Sequence, residues 1–257
     1  MKPDIFPAHK PLLSPPASNT KLRHSTTETH AAWSLSLSPG AKDVCPHASK
    51  GCLSACVGNG GMSKIFDQIG ETRRLKAEFW RKQPERFYSR LISEILSVIE
   101  QHKTEEFTPL FRLNAFSDIP HEKHCAELFK IPGAHYYDYS KDLTRQTPEN
   151  YRLTYSRSEN NQEKILRLLK AGLNCSIVFH EDGQFAQHAA YAQRLPQTWH
   201  GSEVIDGDIS DFRYLDPQAD APQQRGYVIG LRLKGGLQER RKAIETGFSV
   251  PYDWMNH

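Results

Sequence analysis

Apolar and polar residues alternate along this chain in two distinct ways. In Ala32-Trp33-Ser34-Leu35-Ser36-Leu37-Ser38 large apolar and small polar residues change places at every step, the period-2 pattern of a half-buried strand, and Pro39-Gly40 stops it. From Ser63 to about His102 the period lengthens to that of a helix, divided in two near Pro84, with Leu91, Ile92, Ile95, Leu96 and Ile99 as its core stripe. A strand follows from Phe107 to Leu113, ending in the polar Asn114-Ala115-Phe116-Ser117-Asp118, and then a short helix from about His121 to Lys130. The order then repeats. Ala134 to Tyr139 is a strand ending in Ser140-Lys141, and Tyr151 to Tyr155 is a strand ending in Ser156-Arg157-Ser158-Glu159-Asn160. The helix bearing Ile165, Leu166, Leu168 and Leu169, capped by Gly172, leads into a strand at Asn174 to Phe179. Late in the chain Glu203-Val204-Ile205 runs into Asp206-Gly207-Asp208, and Gly226 to Leu233 forms the last strand.

Six or seven strands separated by helices or long connections predict an α/β fold with mostly parallel strands. The expected form is barrel-like, an incomplete or irregular (β/α) barrel, with an open doubly wound sheet as the alternative. Residues 1–30 are rich in Pro, Ser and Thr and carry no period, which predicts a flexible amino-terminal tail or strap. A single α/β domain is expected over residues 31–257, beginning near Ala31. No repeat of fixed period points to a solenoid.

Composition narrows the class. A chain of 257 residues and 29.3 kDa can bury its own core, and 38% hydrophobic against 25% charged residues, with a mean hydropathy of −0.63, describes a soluble protein. No apolar run approaches the ~20 residues that span a bilayer, so no membrane partner is expected. Lys2 followed by Pro3, Pro7, Pro11, Pro15 and Pro16 stands where a signal peptide would carry its apolar stretch, which predicts a cytoplasmic protein. Net charge of +3 adds little.

In parallel α/β folds the ligand site lies at the carboxyl ends of the strands, where the loops converge. Five such ends here are polar: Asn114, Ser117 and Asp118; Asp138 and Lys141; Ser156, Ser158 and Glu159; His180 and Glu181; Asp206, Asp208 and Asp211. Asp118 and Glu159 are candidates for acid–base or substrate-orienting groups, and Lys141, beside Asp138, for an anion contact. Asn114, Ser117, Ser156, Ser158, Asp206 and Asp208 are candidates for substrate contacts, while Asp206, Asp208 and Asp211 also offer hard oxygens to a divalent cation. Solvated loop polarity and a surface ion pair account for each cluster taken singly. The segment Glu71 to Arg90 sets three Glu against seven Lys or Arg, a local +4, interleaved with Phe79, Trp80, Phe87 and Tyr88. That composition suits nucleic-acid phosphates and bases, and equally a solvated helix face over an aromatic core. No Walker-type or dinucleotide-type glycine loop is present.

The sharpest signal is Cys45, Cys52 and Cys56, separated by six and then three residues directly after the first strand. An odd total of five cysteines in a reducing compartment favours reduced, catalytic or metal-bound thiols over disulfides. Three thiolates can hold a four-iron cluster with one iron open to S-adenosylmethionine, the arrangement of radical enzymes, although their usual spacing is three and then two residues. Zinc is the rival, with His47 completing a Cys3His set, and unligated thiols in a packed loop are the third reading. Cys125 and Cys175 are expected to be small core residues.

Several blocks taken together resemble a known family. Val44-Cys45-Pro46-His47-Ala48-Ser49-Lys50-Gly51-Cys52-Leu53-Ser54-Ala55-Cys56, Phe111-Arg112-Leu113-Asn114-Ala115-Phe116-Ser117-Asp118-Ile119-Pro120, and Tyr137-Asp138-Tyr139-Ser140-Lys141 are similar to blocks of an uncharacterised family of tailed-phage and prophage proteins related to the gene product 88 family. The later blocks Asn150 to Asn160, Val204 to Asp208, Arg213 to Pro217 and Val228 to Gly235 continue the resemblance, which covers about residues 30 to 250. It implies a protein of the bacterial host cell and carries no assigned reaction. Two departures, Gly58-Asn59-Gly60-Gly61 in place of a more basic turn and Glu71-Thr72-Arg73 in place of Lys-Thr-Arg, weaken an anion site. The expected function is a metal- or iron–sulfur-dependent enzyme acting on a nucleotide or nucleic acid. The alternatives are a zinc-stabilised base-exchange or hydrolytic enzyme, and a non-enzymatic module that binds nucleic acid or protein.

Overall fold

The computed structural model describes residues 5–59, 66–103, 106–181 and 194–252. Gly60 and Gly61 of the glycine turn, and Ser63 at which the helical period begins, lie outside the described residues.

Ten strands among the described residues join into one sheet: β1 (Leu13–Ser14), β2 (His30–Leu35), β3 (Thr108–Arg112), β4 (His135–Ser140), β5 (Tyr151–Ser156), β6 (Cys175–His180), β7 (Thr198–Trp199), β8 (Ser202–Asp206), β9 (Val228–Arg232) and β10 (Val250–Pro251). Their order is β1-β2-β3-β4-β5-β6-β9-β8-β7, with β10 pairing the carboxyl half of β6. β2 through β6 are neighbours in chain order and parallel, as are β6 with β9 and β9 with β8. Only the two-residue edge strands β1 and β7 pair antiparallel. The fold is therefore α/β with a mostly parallel sheet, as the alternation of elements predicts.

The sheet stays open, and the barrel expected from the sequence is not closed: β1 and β7 stand at its two edges. Its inner face is covered by α1 (Thr20–Ser25) and the segment after β8. Residues alternate between faces along a strand, so Ala32, Leu110 and Tyr137 point inward, where they pack against Leu22 of α1 and against Phe212. The segment after β8 crosses this face from the carboxyl ends of the strands to their amino ends. Asp211 meets Arg112 at the end of β3, the Tyr214 hydroxyl meets His135 Nδ1 at the start of β4 (2.8 Å), and Pro217 O accepts from Asn174 Nδ2 just before β6 (2.8 Å).

The outer face carries the main core. Trp33, Leu35, Phe111, Leu113, Tyr136 and Tyr151 pack against Ala77, Phe79 and Trp80 of α3 (Asp67–Lys82) and Phe87, Tyr88, Leu91 and Ile95 of α4 (Pro84–Gln101). The two helices part at Gln83, with Pro84 in the first turn of α4 where its missing N–H costs nothing. In the expected stripe Leu91 and Ile95 are buried and Ile92 and Ile99 lie at its border. Leu96 is exposed, since 100° per residue carries it well off the Leu91–Ile95 line. A second core holds Ile165 and Leu169 of α6 (Gln162–Lys170) against Ile177 and Phe179. Gly172, at φ +82°, ends this helix region as expected. The short helix after β3 is a single turn, α5 (His121–His124), followed by a 3-10 segment, Ala126–Lys130. A further helix, α7 (Leu237–Glu245), follows β9.

Elements begin before Ala31. Phe6 and Leu12 are fully buried, Ile5 N–H donates to Gln83 Oε1 (3.1 Å), and the N–H groups of Leu12 and Leu13 donate to the Glu94 carboxylate (2.9 and 2.8 Å). The buried Lys76 Nζ donates to Leu12 O (2.6 Å) and Arg90 to Pro7 O (3.1 Å). Residues 5–14 thus lie over α3 and α4 as a strap, held through backbone groups that no side-chain periodicity announces. No helix among the described residues is long and apolar enough to cross a membrane.

Candidate active site

The cysteine loop leaves β2 and returns to the carboxyl ends of its neighbours. Cys45 Sγ accepts from Gly40 N–H (3.5 Å) and lies 3.6 Å from Phe116 O, at the tip of β3. Ser49 caps the short helix α2 (Lys50–Ser54): its Oγ accepts the Cys52 N–H (3.1 Å) and donates to Glu159 Oε2 (2.7 Å). Glu159 Oε1 accepts the Gly51 N–H (2.7 Å). Burial by itself raises the Glu159 pKa, but these bonds outweigh it and hold the carboxyl below its usual range. Gly51 is wedged so closely that a Cβ there would stand 2.8 Å from Glu159 Oε2, from Phe248 Cβ and from Thr246 Oγ1. The loop after β2 is thus tied to the end of β5 and to the segment following α7.

Cys45, Cys52 and Cys56 are all half-buried. Burial raises the Cys45 pKa, the Gly40 N–H opposes it, and the charges of Cys52, Cys56 and Asp118 each push it further up. Arg73, whose pKa burial lowers, feels the charge of Cys56 in the opposite sense. The Arg73 guanidinium lies 4.2 Å over the Phe116 ring and donates to Gly58 O (2.9 Å). Lys141 Nζ lies 5.7 Å from the Phe248 ring centre. His47 is turned away to Asp142, Nε2 to Oδ2 3.6 Å. Among the described residues no group of three His, Cys, Asp or Glu side chains is placed to hold a metal ion.

Asp118 links three elements. Its Oδ1 accepts from Ser140 Oγ (2.7 Å) and faces Arg145 Nη1 (3.5 Å), its Oδ2 accepts the Lys141 N–H (2.8 Å), and its own N–H donates to Val44 O (2.8 Å). Arg145, buried and paired with Glu122 (2.7 Å), was not singled out by the sequence, although it follows Lys141 by four residues in the same strand-end loop.

Asp138 sits deeper. It is fully buried and accepts from Asn114 N–H (2.8 Å), Leu113 N–H (3.2 Å), Asn114 Nδ2 (3.3 Å) and the Tyr151 hydroxyl (2.7 Å). Burial pushes its pKa up to about 6 against the lowering pull of those donors. It therefore ties β3, β4 and β5 together and makes no pair with the Lys141 ammonium. Asn114 is similarly committed, its Oδ1 accepting from Ser117 Oγ (2.7 Å) and Ile119 N–H (2.8 Å). Ser156 accepts from Ser176 Oγ (3.1 Å) on the inner face, and Ser158 Oγ donates to Asn160 Oδ1 (2.9 Å). At the end of β6, His180 O accepts the Tyr252 N–H (2.7 Å), and just past it Glu181 Oε1 accepts the Arg194 N–H (2.7 Å).

Asp206 and Asp208 form a separate group with basic partners. Asp206 receives Arg232 in a two-point pair (2.7 and 2.8 Å), and Asp208 faces Lys234 and Lys21. Basic side chains thus occupy the oxygens that their spacing offers to a divalent cation.

The basic residues of the Glu71–Arg90 segment are largely engaged within the chain: Arg74 with Glu71 and Glu78, Arg81 with Asp43, Lys82 with Glu78, Arg90 with Glu94 and the strap. Phe79, Trp80, Phe87 and Tyr88 are core residues and offer no stacking surface.

The model of the family described as gene product 88 matches residues 11–250, nearly the whole chain. The chain belongs to the gene product 88 family. Among curated proteins and solved structures nothing matches it. The family match includes β1, α1 and the cysteine loop, so the amino-terminal elements from residue 11 on belong to the shared unit.

Proposed function

We propose that this gene product 88 family protein is an enzyme working at the carboxyl-end rim of a barrel-like sheet, with Cys45, Cys52 and Cys56 as thiolate ligands of an iron–sulfur cluster and a nucleotide or nucleic acid as substrate. The supporting observation is the meeting of the cysteine loop with the strand ends: Cys45 Sγ lies 3.6 Å from Phe116 O, Ser49 joins the Cys52 N–H to Glu159, and the charges of Cys52, Cys56 and Asp118 act on Cys45. His47, which would complete a closed zinc set, faces Asp142, and this favours a site with an open position over a closed Cys3His one. Drawing the three sulfurs onto a cluster requires a shift of the 45–56 loop, whose Cys45 thiol is held by two long sulfur contacts. Bound there, such a cluster would supply one-electron chemistry, with S-adenosylmethionine as the co-substrate for its open position.

The chain's own groups have separate tasks in this reading. Arg73 and Lys141 hold phosphate oxygens, and the half-buried Phe116 and Phe248 rings offer faces to a base. Asp118, oriented by Ser140 and the Lys141 N–H, accepts a hydrogen bond or a proton from substrate. Glu159 is a positioning residue that holds Cys52 through Ser49. The test is metal content and visible absorption of protein purified without oxygen, beside Cys52→Ala. Stoichiometric iron with a broad band near ~400 nm, lost in the variant, is expected. Stoichiometric zinc, or no metal, overturns the cluster.

A further inference from the structure

The helix α7 buries a residue that an ordinary amphipathic helix would leave in water. Its Leu237 is 41% exposed and Ile244 is only partly covered, whereas Arg240 is 3% exposed and forms the buried face together with Ala243. Three other arginines are buried, and each has an acceptor. Arg145 pairs with Glu122 (2.7 Å), Arg157 donates to Gly247 O (2.7 Å) and Phe248 O (2.9 Å), and Arg213 faces Asp216 (3.3 Å). The Arg240 guanidinium has none among the described residues: its Nε and Nη1 are buried without a hydrogen-bond partner, and no carboxylate pairs with it. A guanidinium keeps its proton in a protein, so a buried one without a negative partner loses its hydration with nothing in return.

A second orphan stands beside the last turn of α7. Ser249 is 3% exposed and its Oγ has no hydrogen-bond partner, while its N–H is bonded to O of Ala243 (3.2 Å), three residues beyond Arg240. Ser249 leads directly into β10, which lies against the carboxyl end of β6, and α7 packs on α2 of the cysteine loop, so both orphans belong to the carboxyl-end rim. We propose that the buried face of α7 is an oxyanion site that takes a phosphate group, with the Arg240 guanidinium as its charge partner and the Ser249 hydroxyl as a neutral donor. The unpartnered groups can all donate a hydrogen bond, and the guanidinium can do nothing else, which suits an anion and excludes a metal ion. Glycines in the left-handed region bracket α7, Gly235 at φ +108° and Gly247 at φ +73°, and these junctions are where the helix would swing to admit the ligand. This phosphate is separate from the oxygens assigned to Arg73 and Lys141, and the site does not depend on the cluster: iron content tests that reading and phosphate binding tests this one.

The experiment is thermal unfolding and calorimetric titration of the full-length chain with inorganic phosphate, adenosine 5′-monophosphate and adenosine, at an ionic strength held constant with sodium chloride. Phosphate should bind and raise the unfolding temperature, and adenosine should do neither. Binding of the monophosphate as well, or in place of the free ion, identifies a phosphate ester as the source, and binding of inorganic phosphate alone identifies the free ion. Arg240→Met keeps the apolar length of the side chain and removes the charge. It should leave the ligand-free protein at least as stable as wild type and weaken phosphate binding about tenfold or more, and Ser249→Ala should weaken it about threefold. A guanidinium held by an acceptor within the chain predicts the opposite sign, a ligand-free Arg240→Met that unfolds at lower temperature or does not fold. That result, phosphate binding unchanged in either variant, adenosine binding as tightly as its monophosphate, or no binding of phosphate or the monophosphate at millimolar concentration, overturns the proposal.

Discussion

Replacing Glu159 by alanine removes the link between the end of β5 and the cap of α2, and the size of the effect follows from two bonds. Each is 2.7 Å long and ends on a charged acceptor, one from the Ser49 hydroxyl and one from the Gly51 N–H. Such bonds contribute about 1.5–3 kcal/mol each when buried. Glu159 is only half buried, so water recovers part of the loss and about 2 kcal/mol remains for the pair. The loss is local. Opening of α2 should become about 30-fold more frequent, visible as faster hydrogen exchange at the Gly51 and Cys52 amides and faster alkylation of Cys52. Glu159→Gln keeps an acceptor for Gly51 N–H and should lose about half as much. Since the folded-state pKa of Glu159 is lowered, its contribution is full above the unfolded value of 4.5 and is lost as pH falls through the folded value. The wild-type loop should therefore loosen in acid and the alanine variant should not loosen further. Unchanged exchange at Gly51 and Cys52 in Glu159→Ala would refute the positioning role.

Asp138 and Asp216 both have pKa values pushed up to about 6 by burial, so each stabilises the fold below about 4 and loses that contribution as pH rises through 6, by up to about 3 kcal/mol; Asp138→Asn should cut the pH dependence of urea stability in this window by about half. Gly226→Ala should destabilise by about 3 kcal/mol or more in thermal unfolding, because a Cβ there would lie 2.1 Å from Leu173 O, a backbone atom that cannot step aside. Glu94→Ala strips two strap amides of their acceptor and should speed limited proteolysis near Pro7–Lys10, while cleavage elsewhere stays slow.

Much of the candidate site was legible because a strand announces its own end. Asp118, Lys141 and Glu159 are polar residues that follow apolar runs, and all three stand just past the ends of β3, β4 and β5. Their working partners were not legible. Arg73 and Lys141 meet Phe116 and Phe248, 43 and 107 positions away along the chain, and Ser49 meets Glu159 across 110. Asp138 shows the converse. Its place beside Lys141 in sequence suggests a pair, yet alternation along β4 turns its side chain into the core among Tyr151 and Asn114.

Local pattern carries the parallel α/β class, the seven longer strands, the division of the helices at Pro84 and the close spacing of three cysteines, because each depends on residues within a few positions of one another. Packing of the whole chain was needed to place β9 between β6 and β8, to edge the sheet with two-residue strands, to strap the helices with residues 5–14, and to bring two lysines onto Asp208. Those features rest on backbone hydrogen bonds and charges brought together from far apart in the chain. Backbone groups are the same at every residue, and the partner of a charge is fixed only when the chain has packed, so local pattern leaves both open.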